Sequence, residues 1–168
     1  MKKKVRVLDL LLYFIAVCYI VLLLLILFRR VHFYRSFNII PFKSIYEYLA
    51  GDDLVVRAFA VSNVLGNIVI FIPLGIYLTL FNHLAKRRKI ILSVFVFSML
   101  VEVIQYTFKL GIGDIDDVIL NVLGGAIGVS IYQLLWLIFK DNRKIRNVIG
   151  VCAPICGVLS YFVLIYMI

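Results

Sequence analysis

Five long apolar runs are the feature that most constrains what this chain can fold into. Each run is close to the about 20 residues that a helix needs to cross a bilayer. Lipid cannot satisfy exposed backbone polar groups, so runs of this length are expected to be helices rather than open strands. We therefore predict an all-α polytopic membrane helix bundle with five transmembrane helices, over residues 10–28, 63–82, 90–108, 118–139 and 147–168.

Composition supports a membrane protein made of a single domain, residues 1–168. The chain is 64% hydrophobic with a mean hydropathy of +1.09, whereas soluble domains are about 45–50% apolar. The first run exceeds the apolar core of a signal peptide and is followed by Arg29 and Arg30 instead of small residues. We expect it to remain as a signal anchor.

The basic residues predict an orientation. The net charge is +9, which in a soluble chain could indicate nucleic acid binding. In a membrane protein the cytoplasmic loops carry the excess of Lys and Arg. Twelve basic residues lie in segments 2–6, 86–89 and 140–146, and six lie in 29–57 and at Lys109. The sequence therefore predicts an N-in, C-out topology and no nucleic acid partner.

The first external loop, residues 29–62, carries a helix signal of its own. Asn38 ahead of Pro41 suits a helix start, and Gly51 suits a helix end. Three apolar residues would then share one face: Phe42, Ile45 and Leu49. We predict a short amphipathic helix at the outer membrane surface, and a re-entrant element is the alternative. In the second run, Pro73 is expected to kink the helix.

Polar residues in three of the runs share one depth. With a rise of about 1.5 Å per residue, Asn67 and Asn121 lie roughly 6 Å, and Glu102 roughly 9 Å, below the outer helix ends. Three pairs at helical spacing each lie on one face: Asn63/Asn67, Glu102/Gln105 and Asp117/Asn121. Ionisable residues within a membrane are functional by default, so this pattern predicts an outward-facing polar pocket.

The stretch GDIDDVILNVLGGAIG, residues 113–128, combines acids with glycines. Gly124 and Gly128 form a small-xxx-small motif, which indicates close helix packing and offers a surface for a homodimer. An aspartate at the start of the helix is expected to cap it. Asp116 is expected to be the spare acid, exposed to water.

Three other functions remain open at this point. Glu102 could be a structural acid that bonds Asn67 or Asn121 and fixes the helix register. An enzyme acting on a lipid-linked substrate could use Glu102 or Asp117 as general base or metal ligand. The spans contain no histidine and no Ser-His-Asp, HExxH or CxxC constellation, which disfavours an enzyme. A small proton-coupled transporter or flippase using Glu102 is the last alternative, although such sites usually lie near the midplane between repeats.

The motifs NIIPF, NIVIFIPLGIYL, VEVIQY and GDIDDVILNVLGGAIG occur in this order over residues 38–128. In that order they resemble the VanZ-like family of small bacterial membrane proteins. The resemblance implies a multi-pass protein of the bacterial cytoplasmic membrane with a role in tolerance of lipid-tailed glycopeptides such as teicoplanin. The matching turn and packing positions are Pro41, Phe42, Pro73, Gly75, Gly124 and Gly125. The small-xxx-small motif adds Gly128 to the predicted structural residues.

Together these observations predict a pocket that engages an amphiphile in the outer leaflet, with the loop helix as its lid. The candidate ligands are a lipid-linked cell-wall precursor, a phospholipid headgroup and the antibiotic itself. Mg²⁺ or Ca²⁺ is a candidate cofactor, because hard cations prefer oxygen ligands, and Glu102, Asp114 and Asp117 would hold it. The predicted pocket residues are Asn38, Asn67, Glu102, Gln105, Asp114, Asp117 and Asn121.

Overall fold

The structure, a computed structural model, describes residues 7–28, 37–50, 54–110 and 113–166, without the side chains of residues 48, 49, 54–60 and 155–166. The described chain is almost entirely helical. It contains two short strands, β1 (Phe37–Asn38) and β2 (Gly113–Asp114). The six helices are α1 (Val7–Leu27), α2 (Lys43–Ala50), α3 (Leu54–Phe81), α4 (Arg87–Phe108), α5 (Ile115–Phe139) and α6 (Asn142–Tyr166).

Four helices are long and apolar enough to cross a membrane, which confirms a helical membrane protein. They are α1, the Val61–Phe81 part of α3, α4 and α5. The described part of the fifth predicted run, residues 147–166, lies in α6, which is not among these four. Its crossing of the membrane therefore stays a prediction, as does the N-in, C-out topology.

Helix boundaries differ from the apolar runs mainly in α3. This helix begins at Leu54, well before the predicted start at residue 63, and continues through Pro73. A helix can extend past its apolar span because backbone bonding, and not hydropathy, decides where it ends. The kink expected at Pro73 stays a prediction. The predicted loop helix is present as α2, and the glycine expected to end it, Gly51, lies outside the described residues.

The described chain divides into two compact units. The unit Leu25–Ile131 contains α2, α3, α4 and most of α5. Its helices α3 and α5 approach closely at glycines: a Cβ at Gly124 would overlap the carbonyl oxygen of Ile68, and one at Gly128 would overlap that of Ile72. The packing role predicted for these glycines agrees with this contact. Gly75 and Gly125 meet in the same way, backbone against backbone.

The other unit comprises Met1–Leu24 and Tyr132–Ile168. Within it the side chain of Arg146 in α6 forms a 3.0 Å ion pair with Asp9 in α1. Gly150 lies against Leu8 and Leu12, which a Cβ at that position would contact at 3.5 and 3.7 Å. Leu12 and Ile145 are fully buried.

A short parallel pairing brings two distant segments together at the end of α4. The helix stops where Lys109 adopts a left-handed conformation with φ 57°, and the Lys109 N–H bonds the carbonyl of Gln105. The chain then enters β2, where Gly113 and Asp114 pair with Phe37 and Asn38 of β1. This pairing places the segment before α2 directly beside the start of α5.

Candidate functional site: an acid and amide cluster

Asp114 joins three parts of the Leu25–Ile131 unit. Its backbone N–H donates to Glu102 Oε2 at 2.9 Å, so it links α4 to the start of α5. Its carboxylate Oδ1 accepts a 3.0 Å bond from Asn38 Nδ2 and another from the backbone N–H of Asp116. The latter bond is an N-cap, since Asp114 directly precedes Ile115. The prediction that an aspartate caps this helix is confirmed.

Asp116 performs a role that the sequence analysis did not predict. Its side chain is only 1% exposed, so the expectation that it is a spare acid in water was wrong. Its carboxylate accepts backbone N–H bonds from Phe42, from Ser44 at 3.0 Å and from Ile45 at 3.3 Å. The first turn of a helix leaves its N–H groups without partners inside the helix. Asp116 supplies those partners to α2 from a different helix.

Asn38 completes the attachment of this loop. Its Nδ2 bonds Ser44 Oγ at 3.0 Å in addition to Asp114, and its Oδ1 accepts from the N–H of Ile40 at 3.1 Å. The Asn38 amide therefore fixes the turn ahead of α2 and ties it to α5. The sequence analysis placed Asn38 in the pocket, and the structure brings it to Asp114.

A second pair of contacts lies deeper between α3, α4 and α5. Asn67 Nδ2 donates to Asp117 Oδ1 at 2.6 Å, which joins α3 to α5. Asn121 Nδ2 donates to Ser98 Oγ at 2.9 Å, which joins α5 to α4. Ser98 was not among the predicted residues, although it lies four positions before Glu102 and so on the same helix face. That spacing was the signal that could have found it.

One polar atom in this region has no partner among the described residues. Asn121 is 1% exposed, and its Oδ1 is buried without a hydrogen bond. Buried polar groups are usually bonded, and an exception calls for an explanation. Among the described residues, Ser98 Oγ is the hydrogen-bond partner of this amide. The site therefore has an unused hydrogen-bonding position between the helices.

Glu102 lies among other acids at the start of α5. Glu102 is 4% exposed, and Asp114 and Asp117 are close enough to it to interact electrostatically. The ion pairs in which both side chains are described are Lys43–Glu47 and Arg146–Asp9. Glu102, Asp114 and Asp116 thus form no ion pair with any described residue.

Gln105 was predicted to line the pocket, but its side chain bonds a residue outside the cluster. Its Nε2 donates to the carbonyl oxygen of Leu27 at 2.7 Å, the last residue of α1. A helix end leaves carbonyls without partners, so this bond serves as a C-terminal cap. Glu102 and Gln105 share a helix face, but they bond different groups. Glu102 accepts from the N–H of Asp114, and Gln105 donates to the carbonyl of Leu27.

The two other predictions for this region concern metal and dimer contacts. Within the described ranges, no three His, Cys, Asp or Glu side chains form a group suited to a metal ion. The Gly124/Gly128 surface lies against α3 of the same chain. A homodimer through that surface would require α3 to move away.

An open groove of about 350 Å³ runs along α4. Its lining residues occupy the side of the helix opposite Ser98 and Glu102, so it does not open into the cluster. The groove is almost entirely apolar. It is lined by Leu92, Ser93, Val96, Phe97 and Leu100.

The fold and this site define a multi-pass membrane protein in which three span-length helices enclose a hydrogen-bonded cluster of acids and amides at one end. The family model described as VanZ/LLP1 matches residues 10–140. This match covers most of the chain, and the chain therefore belongs to the VanZ/LLP1 family. The family suggested by the four sequence motifs is confirmed.

A curated relative agrees with the family. Protein VanZ of Enterococcus faecium is 34% identical over 101 residues, which cover 60% of this chain and 54% of the relative. The chain thus spans about half the length of the curated relative that it matches. No solved structure matches the chain.

Proposed function

We propose that this chain is a bacterial cytoplasmic-membrane protein that binds the headgroup of an amphiphile at the acid and amide cluster and thereby contributes to tolerance of teicoplanin-like antibiotics. The ligand would be a lipid-linked cell-wall precursor. Its headgroup would provide hydroxyl or ammonium donors, and its lipid tail would remain in the bilayer.

The unused acceptor of Asn121 is the observation that carries this proposal. A buried carbonyl oxygen without a donor is destabilising by roughly 1–3 kcal/mol, so a protein that keeps one has a use for it. Glu102 adds a nearly buried carboxylate without a basic partner among the described residues. Both groups would be satisfied by a ligand that donates hydrogen bonds or carries positive charge.

The orientation of the cluster follows from the charge pattern. The turn between α3 and α4 is followed by four consecutive basic residues, residues 86–89, which favour the cytoplasm. The opposite end of α4 holds Glu102 and leads to Asp114. In the N-in, C-out topology with five spans, the cluster faces outward, where cell-wall precursors are consumed and glycopeptides act.

The resistance part of the proposal comes from the family. The relative in E. faecium is called Protein VanZ, and the VanZ-like family is associated with glycopeptide tolerance. The described residues show no catalytic constellation, and we therefore propose binding and not turnover.

The first experiment separates binding from folding. Glu102→Gln and Asn121→Leu are expressed in a glycopeptide-sensitive Gram-positive host beside the unchanged protein. Ser93→Ala serves as the control, because Ser93 is exposed on α4 and its hydroxyl bonds the carbonyl of Lys89 in the same helix. The growth-inhibiting concentration of teicoplanin is measured together with the amount of tagged protein in the membrane. We expect both cluster variants to lose tolerance at normal abundance while Ser93→Ala retains it. Full tolerance in both cluster variants would contradict the proposal.

The second experiment tests the ligand. Purified protein in nanodiscs is exposed to a photo-crosslinkable polyprenyl-linked cell-wall precursor, with photo-crosslinkable phosphatidylglycerol as the comparison lipid. We expect the precursor to label the unchanged protein and Ser93→Ala, with strongly reduced labelling of Asn121→Leu. Equal labelling by both lipids, unaffected by the variants, would show that the cluster does not select this headgroup.

A further inference from the structure

The segment that covers the cluster presents an unusual amount of apolar surface. Over ten positions it exposes five large apolar side chains by more than half. These are Phe37 at 54%, Ile39 at 69%, Ile40 at 57%, Phe42 at 60% and Tyr46 at 73%. A soluble surface rarely carries contiguous apolar patches of this density. We call these five side chains of segment 37–46 the apolar wedge.

The wedge lies at the level where the spans end. β1 pairs with β2, and β2 lies between the end of α4 at Phe108 and the start of α5 at Ile115. Helices that cross a bilayer change from hydrocarbon to headgroup surroundings near such ends. The wedge is therefore held beside the boundary between these two regions.

The wedge is also continuous with the lipid-facing side of α4. Phe37 packs edge-on against Tyr106, with ring centroids 5.5 Å apart. Tyr106 and Phe108, in the last turn of α4, are themselves 39% and 68% exposed. Apolar side chains that contact the exposed end of a span-length helix are expected to share its lipid surroundings.

The backbone is arranged so that the wedge faces outward. Phe42 adopts φ 63°, a conformation that is uncommon for any residue but glycine and unusual for a bulky one. The N–H groups of Phe42, Ser44 and Ile45 all bond the Asp116 carboxylate. The fold thus stabilises a strained turn in which the Phe42 ring is exposed instead of buried. Strain of this kind usually accompanies function.

Charged side chains border the wedge on one side. Lys43 and Glu47 pair at 3.8 Å one turn apart on α2 and both are exposed, and Tyr46 lies beside them on the neighbouring part of the same surface. An interfacial helix carries its charges toward the headgroups and its apolar side toward the acyl chains. Tyr46 has an apolar ring and a polar hydroxyl, which suits the boundary between the two.

From these observations we propose that the apolar wedge inserts into the bilayer interface and that Asp116 is the positioning residue that holds it there. The wedge packs against lipid headgroups and upper acyl chains with its exposed apolar side chains. This inference does not depend on which ligand the cluster binds. In this proposal the buried Asp116 carboxylate acts on membrane contact indirectly, by holding the backbone of the wedge segment.

Tryptophan fluorescence in lipid vesicles tests the proposal directly. The chain has a single tryptophan, Trp136, and a Trp136→Phe background removes its signal. Phe42→Trp and Tyr46→Trp place probes within the wedge, and Glu47→Trp is the matched control on the charged side of α2. The full-length protein is reconstituted in phosphatidylcholine and phosphatidylglycerol vesicles, with and without lipids brominated in the upper acyl chain, and iodide is used as the aqueous quencher.

We expect brominated lipid to remove most of the fluorescence of the probes at positions 42 and 46 and little of that at position 47. Iodide should give the reverse order. Strong iodide quenching at either wedge position would overturn the proposal. So would a probe that is shielded from both quenchers to an extent that depends on protein density in the vesicle. The latter result would indicate a second copy of the chain on this surface.

The role of Asp116 is tested in the Phe42→Trp background. Asp116→Ala should reduce quenching by brominated lipid and increase quenching by iodide, while circular dichroism shows unchanged helix content. Asp116→Asn, which retains one carbonyl acceptor, should give an intermediate result. Unchanged quenching in Asp116→Ala would show that the wedge does not need this carboxylate.

Discussion

The carboxylate of Asp116 accepts a 3.0 Å hydrogen bond from the backbone N–H of Ser44, 72 positions earlier in the chain. This bond connects the N-terminus of α2 with the first turn of α5. Together with the contact between Asn38 and Asp114, it fixes the loop between α1 and α3 over the acids. Two of the three clustered aspartates therefore bind this loop, and the third bonds Asn67 in α3.

Removing the Asp116 carboxylate is expected to detach α2. Asp116→Ala leaves three N–H groups without their acceptor, and losing a capping side chain is destabilising by about 0.5–2 kcal/mol. We expect hydrogen exchange to accelerate at the amides of Phe42, Ser44 and Ile45, with little change in the α3 and α5 cores. Hydrogen–deuterium exchange with mass spectrometry measures this effect.

Glu47→Ala is the matched control for that change. Glu47 lies in the same helix, but its ion pair is exposed, and such pairs contribute at most about 1 kcal/mol. Exchange at the three amides should be almost unaffected. Faster exchange in Glu47→Ala than in Asp116→Ala would contradict the anchoring role.

Adding a methyl group at the contact between α3 and α5 should be strongly destabilising. In Gly124→Ala the new Cβ overlaps the carbonyl of Ile68, and the two helices must separate. Overpacking of this kind is destabilising by about 1–3 kcal/mol. We expect a lower midpoint of thermal unfolding in detergent, followed by the fluorescence of Trp136.

Gly66→Ala, in the same unit, is expected not to lower the thermal stability. A Cβ at Gly66 in α3 has no neighbour within 4 Å. Alanine in a helix interior is favoured over glycine by roughly 0.5–1 kcal/mol. Gly66→Ala should therefore unfold at the same or a higher temperature. Equal destabilisation by the two substitutions would contradict the packing explanation, because helix propensity alone favours alanine at both positions.

Asn67 and Asp117 should be energetically coupled. Their side chains are joined at 2.6 Å, and interhelical polar bonds in membrane proteins contribute on average about 0.6 and at most about 1.7 kcal/mol. A double-mutant cycle with Asn67→Ala and Asp117→Ala should yield a coupling energy in this range for unfolding in detergent. Additive effects of the two substitutions would show that the bond contributes no stability.

Asn121 allows stability to be separated from function. Replacing the pair by Asn121→Leu with Ser98→Ala removes a buried acceptor that lacks a partner. Exchanging both partners of a buried polar pair for apolar groups is often nearly neutral or stabilising. The double variant should keep or gain thermal stability and lose teicoplanin tolerance. A variant that loses stability and tolerance in parallel would assign Asn121 a structural role.

The helices and their span-forming lengths could be predicted from the sequence because the cause is local. An apolar run in lipid must satisfy its own backbone hydrogen bonds, and the runs at 10–28, 90–108 and 118–139 coincide closely with α1, α4 and α5. The glycine contact was also accessible, since residues four apart share a helix face. The N-terminal extension of α3 could not be predicted in this way, because its first residues belong to none of the five apolar runs.

The sequence by itself determined which residues gather at this end of the molecule, because helical rise places Asn67, Glu102 and Asn121 at one depth. Only the tertiary structure decided what each of them bonds. Asp114, Asp116 and Asp117 are nearly equivalent in sequence, but at 100° per residue neighbouring positions of a helix point in different directions. Which of them meets the N-terminus of α2 depends on how a segment more than seventy residues away docks on α5. That docking made Asp116 a buried anchor, whereas the packing of α5 against α4 left Asn121 Oδ1 without a hydrogen bond among the described residues.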